Sequence, residues 1–192
     1  EEEMIHEVIV TTISKDSQVH IAPMGIKIID NQVIISPFRP SKTLENITEN
    51  RIATINFIDD VRVFAGIVTK YKKDWELEDS KDKTIVPRLV LANTHYNVIA
   101  KNFKDDERRP NIVCDVSKKE FNKPFMGFNR AQFSVIEASV LVSRLKMLPI
   151  EKILLEIEYL KIGIDKTAGK RESEAWKWIE DKIQEFQKVD IN

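Results

Sequence analysis

The sequence predicts a mainly β protein with added α structure: a β-barrel over residues 1–125, followed by a helical C-terminal domain over residues 126–192. Three observations predict it. From Glu7 to about Ser117 the chain runs as short segments rich in β-branched residues, separated by turn residues. A single short helix pattern, Thr43–Glu49, interrupts them. After PFMGFNRA the apolar residues change to helical spacing.

Taken in order, HEVIVTTIS is followed by the turn-like KDSQ, then by VHIAPMGIKII, the Asp30-Asn31 pair and QVIIS. Asp and Asn tolerate left-handed backbone, so Asp30-Asn31 serves as a hairpin turn and three antiparallel strands result. Thr43–Glu49 places Leu44 and Ile47 at i and i+3, with Asn50 as its C-terminal stop. RIATINFI alternates, with Ala53, Ile55 and Phe57 on one face and Ile52, Thr54, Asn56 and Ile58 on the other. A buried Asn56 on the mixed face needs partners, which gives it a core-lining or a ligand-facing role. After Asp59-Asp60, VRVFAGIVT reads as another strand and YKKDWELEDSKDK as a solvated loop. RLVLANTHYNVIAKNF and NIVCDVS read as a long strand pair joined by KDDERRP, whose charges and Pro110 favour a loop. Six or seven strands with one short helix make a barrel.

Three helices follow. AQFSVIEASVLVSRLK carries Phe133, Ile136, Val140, Leu141 and Leu145; IEKILLEIEYLKI carries Ile153, Leu154, Ile157 and Leu160; ESEAWKWIEDKIQEF carries Trp176, Ile179, Ile183 and Phe186. Pro149 and the Lys166–Lys170 stretch with Gly169 separate them. Asn129 suits a helix N-cap, so Asn129-Arg130 marks the barrel-to-helix transition.

Composition narrows the function. The 30 basic and 31 acidic residues among 192 leave a net charge of -1, so no overall field draws nucleic acid or an anionic membrane, and any anion site is local. No apolar run reaches the roughly 18 to 20 residues of a spanning helix, and a cytoplasmic protein is expected. Cys114 is the lone cysteine, which suits a buried thiol and provides neither a disulfide nor a zinc site. His20 and His95 lie in strand-like segments with no companion spacing that nominates a catalytic triad or a metal cluster, so no catalytic residue is assigned.

The densest chemistry is in SPFRPSKTLENI, Ser36–Ile47. Arg39, Ser41, Lys42 and Thr43 crowd a helix start, where unpaired backbone N–H groups and a partial positive charge favour an anion. An ordinary proline-rich turn with a capped helix is the competing reading. Neither GxGxxG nor GxxxxGK[ST] is present, so a dinucleotide fold and a P-loop are both unsupported.

The order EVIVTT, APMGI, SPFRPSKTLENI, INFIDDV and PFMGFNRAQFSVIEASV resembles a poorly characterised prokaryotic family of FMN-binding split-barrel proteins, related to flavin reductases and pyridoxamine-phosphate oxidases. The resemblance covers nearly the whole chain, and APMG and MGFNRA are its most specific blocks. It implies an FMN-binding split β-barrel, with Arg39, Ser41, Lys42 and Thr43 around the FMN phosphate. The main chain of Ala22, Pro23, Met24 and Gly25 then borders the flavin ring, and Asn56 reaches the ring or the ribityl chain. It further implies a homodimer with FMN near the subunit interface, and a flavin reductase or related oxidoreductase that draws on NAD(P)H. A flavin-binding carrier, sensor or scaffold without turnover is the alternative.

Overall fold

The computed structural model describes residues 4–106 and 109–189, so Glu107 and Arg108 of the expected KDDERRP loop lie outside the described residues. Six strands form a closed barrel in the order β1-β2-β3-β6-β5-β4. They are β1 (Ile5–Ile13), β2 (Val19–Ile29), β3 (Gln32–Ile35), β4 (Ile52–Phe57), β5 (Thr94–Lys104) and β6 (Asn111–Phe121). The helices are α1 (Lys42–Asn50), α2 (Arg62–Thr69), α3 (Arg130–Ser143), α4 (Ile150–Thr167) and α5 (Lys170–Val189).

The chain divides into two compact units. The barrel unit comprises the chain up to Ile58 together with Trp75–Phe125, and the helical unit comprises Asp59–Asp74 together with the chain from Met126 onward. The chain thus passes between units at Phe125–Met126, while Asp59–Asp74 groups with the helices and not with a barrel spanning 1–125.

Alternation along the strands builds the barrel core. Val8 and Val10 of β1, Ile26 of β2, Ile55 of β4, Val98 of β5 and Ile112 of β6 all point inward and are buried, with Met24, Ile28 and Tyr96 packed against them. From α1, Ile47 joins this cluster and Leu44 packs on it, so the helix closes one end of the barrel. Ser41 caps α1, its Oγ accepting from the Leu44 N–H at 3.1 Å, and Arg51 ends it in the left-handed region at φ 64°. Cys114 is buried in this core and burial pushes its thiol up to about 12, which makes it inert.

The outward face of β1, β4 and β5 is polar, yet buried. Thr11, Thr54, Asn56, His95 and Asn97 lie there, each at most 5% exposed. Segment 75–93 covers them, a stretch expected to be partly a solvated loop and partly a strand. Instead Trp75, Val86, Leu89 and Ala92 are buried, Leu77 bridges to Leu89, and β5 starts only at Thr94. The polar outer row explains the arrangement. Thr54 Oγ1 donates to Val86 O at 2.7 Å and Thr11 Oγ1 to Pro87 O at 2.9 Å, so strand hydroxyls hold a covering segment that has no ladder of its own.

The helical unit contains one correction. VRVFAGIVT, read as a strand, is α2, and it packs against α3 and α5. A nearly continuous apolar run cannot be told from a helix by its period, and tertiary packing overrides the β preference of Val, Ile and Thr. The acidic pair that precedes it was the missed signal. Asp60 Oδ1 accepts from the Arg62 N–H at 3.2 Å at the helix start. Asp60 is 1% exposed and also accepts from Arg62 Nε at 2.9 Å and Nη2 at 2.7 Å, with Arg171 Nε of α5 at 3.6 Å.

The α3 stripe also differs from the expected one. Ala131, Val135, Ala138, Leu141 and Val142 are buried, while Phe133 is largely exposed. Small residues set this face. A Cβ at Gly163 of α4 would meet Ser134 Oγ of α3 at 2.8 Å and Arg130 O at 3.2 Å, so the two helices approach too closely for a larger side chain. Ser134 Oγ donates to Leu160 O at 2.8 Å across the same contact. On α4, Ile153, Ile157 and Leu160 are buried as expected, but Leu154 turns outward; on α5, Trp176, Ile179 and Ile183 are buried.

Removing Asp60 leaves the Arg62 guanidinium without its principal partner. Asp60→Ala is expected to lower the stability of the helical unit by about 3 kcal/mol. Urea unfolding followed by Trp176 and Trp178 fluorescence checks this, and an unchanged midpoint contradicts it.

Candidate functional site

The barrel's strand lengths create the site. β2 has 11 residues and β3 has 4, and β3 pairs only with Ile26–Ile29 of β2. Among the described residues, Val19–Gly25 therefore pairs with β1 alone and has one edge without a strand. Pro23 has no N–H to donate, so the β1 ladder accepts it only where its main-chain groups turn toward the open side. By the two-residue alternation of a strand, the main-chain groups of Ile21 and Gly25 turn the same way. The open edge thus carries the Ile21 and Gly25 N–H groups and the carbonyls of all three residues. Ala22 and Met24 instead face β1 with their main chain, through the register pairs Val10↔Ala22 and Val8↔Met24.

Gly25 has a packing reason to be glycine. A Cβ there would meet Ile5 Cγ2 of β1 at 2.6 Å. The methyl belongs to a half-exposed side chain near the strand start, so this is a soft constraint rather than a rigid one.

The start of α1 lies beside this edge. Lys42 raises the local positive potential around His20 of β2, and burial together with Lys42 holds the His20 pKa below its ordinary 6.5. Arg39 precedes the helix across a cis bond to Pro40, and its Nη2 lies 3.1 Å from Asp105 Oδ1. Lys42 Nζ lies 3.5 Å from Glu45 Oε2 within the helix. Both ion pairs are exposed, so each is worth well under about 1 kcal/mol and yields readily to a stronger anion. Ser41 spends a lone pair on the Leu44 N–H and keeps its own hydroxyl proton to donate. Thr43 differs from the other three, being 1% exposed, so its hydroxyl faces the protein and only its N–H belongs to the open helix start.

Two further residues contribute to this end. Arg109 stacks its guanidinium 4.3 Å over the Phe38 ring and donates from Nε to Ser36 O at 2.7 Å, adding a third cation to the loop. His20 is the other. Arg109 had no local signal, since it lies more than sixty residues from the loop it joins; His20 stood out as a histidine in a strand-like segment, and strand register is what brings it here.

Of the two roles expected for Asn56, core-lining and ligand-facing, its burial fits the first. It is fully buried, and its Nδ2 donates to Ile9 O at 3.0 Å, with Thr11 Oγ1 at 3.2 Å and Thr54 O at 3.3 Å. Its Oδ1 accepts from the Leu89 N–H at 2.8 Å. The amide joins β4, β1 and the 75–93 segment, and exposes no surface to a ligand. His95 is likewise structural. Its Nδ1 lies 2.9 Å from Asn122 Nδ2, which makes it the acceptor, and its Nε2 is 3.4 Å from Glu120. Burial lowers the His95 pKa and outweighs the opposing pull of Glu120.

At the start of α3, Asn129 caps the helix, its Oδ1 accepting from the Gln132 N–H at 3.0 Å and its Nδ2 donating to Thr167 O at 3.2 Å. Arg130 lines a shallow cavity of about 230 Å³ with Phe133, Tyr159 and Ile162. Among the described residues, no three His, Cys, Asp or Glu side chains are grouped to hold a metal, and no helix is long and apolar enough to cross a membrane.

Residues 6–123 match the N-terminal domain of DUF447, and residues 129–181 match the remainder of DUF447, both described as protein of unknown function. The chain belongs to the DUF447 family. An uncharacterized protein of Methanocaldococcus jannaschii, MJ1453, is 27% identical over 154 residues, covering 74% of this chain and 75% of that protein. The crystal structure of the FMN-bound DUF447 protein MM1853 from Methanosarcina mazei superposes with a TM-score of 0.79 at 23% identity, covering 94% of this chain and 96% of that one. Flavoredoxin from Methanosarcina acetivorans superposes with a TM-score of 0.51 at 11% identity, covering 64% of this chain and 72% of that one. The FMN-binding split-barrel fold expected from the sequence is the fold of this DUF447 chain.

Asn56→Ala removes a donor and an acceptor from a buried network and is expected to cost about 2 kcal/mol or more in urea unfolding. A change below about 0.5 kcal/mol contradicts this structural role. The two low histidine pKa values set a pH dependence. The unfolded chain takes up protons near 6.5 while the folded protein keeps both imidazoles neutral, so stability falls as pH drops below about 6.5. Urea midpoints between about pH 7.5 and pH 5.5 should decline, and His95→Gln should flatten that decline.

Proposed function

We propose that this DUF447 protein binds FMN in its barrel unit, with the phosphate at the start of α1 and the flavin ring along the open edge of β2. One observation carries the reading. A strand edge with unpaired main-chain groups and a helix start bearing Arg39, Ser41 and Lys42 meet in one unit, and a flavin mononucleotide has a polar ring edge and a dianion to match them. The FMN-bound relative of the same family supports it.

The residues present fit the cofactor. Arg39 offers a planar fork for phosphate oxygens and Lys42 a compact charge, each released from an exposed carboxylate. Ser41 donates its hydroxyl, and the first N–H groups of α1, including that of Thr43, add unpaired donors. Pro23 and Gly25 present main chain with little side chain in the way, while Ala22 and Met24 keep the strand fixed against β1. When bound, FMN supplies hydride acceptance and onward electron transfer, so the protein's contribution is binding, orientation and electrostatics.

The reaction this supports is that of an NAD(P)H-dependent flavin reductase or related oxidoreductase. Assembly as a homodimer with FMN near the interface accompanies the reading. The exposed Phe133 of α3 and Leu155, Tyr159 and Ile162 of α4 form an apolar surface of the kind that such assembly buries.

Titration of the protein with FMN, followed by flavin absorbance, tests the site. Saturation at one flavin per chain is expected, with Arg39→Ala and Lys42→Ala each weakening FMN about tenfold and leaving riboflavin affinity unchanged. Undiminished FMN affinity in both variants removes the phosphate assignment. Oxidation of NADH or NADPH by the loaded protein supports the reductase; binding without oxidation of either leaves a carrier, sensor or scaffold.

A further inference from the structure

His20 lies outside the residues assigned to flavin, yet the fold brings it to the same end of the barrel. It occupies the row of β2 that carries Met24 and Ile26 toward the core, two residues beyond Ala22 and toward the end closed by α1. Its cross-strand partner on β1 is Thr12. The Thr12 hydroxyl accepts from Asn46 Nδ2 of α1 at 3.0 Å, and Asn46 lies one turn beyond Lys42. Asn46 is 1% exposed, and its Oδ1 finds no donor among the described residues. A buried carbonyl oxygen without a donor is costly, so this corner is one N–H short.

A neutral imidazole carries one N–H and an imidazolium carries two. Only the charged ring can give one to Asn46 Oδ1 and another to an anion. The charge on α1 that acts on His20 is Lys42, with Glu45 beside it; across the ladder on β1 its partner is the uncharged Thr12. Lys42 opposes a second positive charge on His20 even with Glu45 beside it, and a phosphate dianion drawn to Lys42 cancels that opposition.

We propose that His20 is a further ligand residue of the phosphate end of the flavin site, and that docking of the phosphate draws a proton from solvent onto its imidazole. This rests on the FMN reading above. Binding then becomes tighter as pH falls through neutrality, because the loaded state holds more protons than the free one.

Isothermal titration of FMN into the full chain at about pH 7.5, in PIPES and in Tris, counts the protons exchanged, because the two buffers differ in ionisation heat. Free FMN phosphate, with a second pKa of about 6, is almost wholly dianionic there, and a cationic site lowers that pKa further, so the phosphate itself contributes no more than the loss of its small monoanion fraction and net uptake reports a protein group. Net uptake is expected with FMN, none with riboflavin, and none with FMN in His20→Gln. The variant should lose severalfold more affinity at about pH 6.5 than at about pH 8.5. Equal proton counts and parallel pH profiles in the two proteins overturn the inference. Should His20→Gln fold poorly, the imidazole C2 proton of His20 can be titrated by NMR in the unsubstituted chain. Its midpoint should rise on FMN saturation, and no movement overturns the inference. FMN binding without a linked proton removes this inference alone, whereas no FMN binding removes the flavin reading and the inference with it.

Discussion

The mismatch in length between β2 and β3 is the constraint on which the candidate site depends. A barrel abolishes edges only where every strand is fully paired, and a four-residue strand cannot pair an eleven-residue one. Along seven residues of β2, alternate ones, Ile21, Pro23 and Gly25 among them, are consequently left with main-chain groups on the open side. In a soluble sheet such an edge is a liability unless something covers it. Here the helix that follows β3 lies near it, bringing cations and unpaired N–H groups to the same place. Backbone economy and ligand chemistry thus coincide at one corner of the barrel.

The opposite treatment is given to the outer face of β1, β4 and β5. There the polar side chains are not held for a ligand but spent on a covering segment. Asn56 alone links two strands to that segment, and Thr11 and Thr54 reach the carbonyls of Pro87 and Val86. This explains how 75–93 can be buried without regular structure, since side chains satisfy the main-chain groups that a ladder would otherwise pair. A polar residue on a strand is therefore not by itself a sign of a ligand; its partners decide.

Much of the barrel was legible from alternation. Ala53 and Ile55 face the core as their spacing implies, Asp30 turns with φ 55° where a hairpin was expected, and Ser41 caps α1. The three C-terminal helices were legible from their periods and from Pro149. The misreadings have two physical sources. VRVFAGIVT is short and apolar but for Arg62 and Thr69, so its β-branched residues suggest a strand and its packing partners decide its form. Asn56 and Arg109 are placed by strand register and long-range pairing, which a linear reading of residues does not contain. The cluster at Arg39, Ser41 and Lys42 was visible because those residues are neighbours in sequence, whereas the edge of β2 depends on where β3 stops.

The division of the helical unit between two stretches of chain bears on biosynthesis. Residues of α2 leave the ribosome long before α3 and α5, the helices it packs against, have been made. During that interval an apolar segment sits within the barrel's own sequence with no surface to rest on, and such transient exposure invites aggregation. A chain stopped at Phe125 would carry the same unsheltered segment permanently. The two units are distinct as packed bodies, but the sequence threads them, so a cut at Phe125 parts α2 from the helices it packs against.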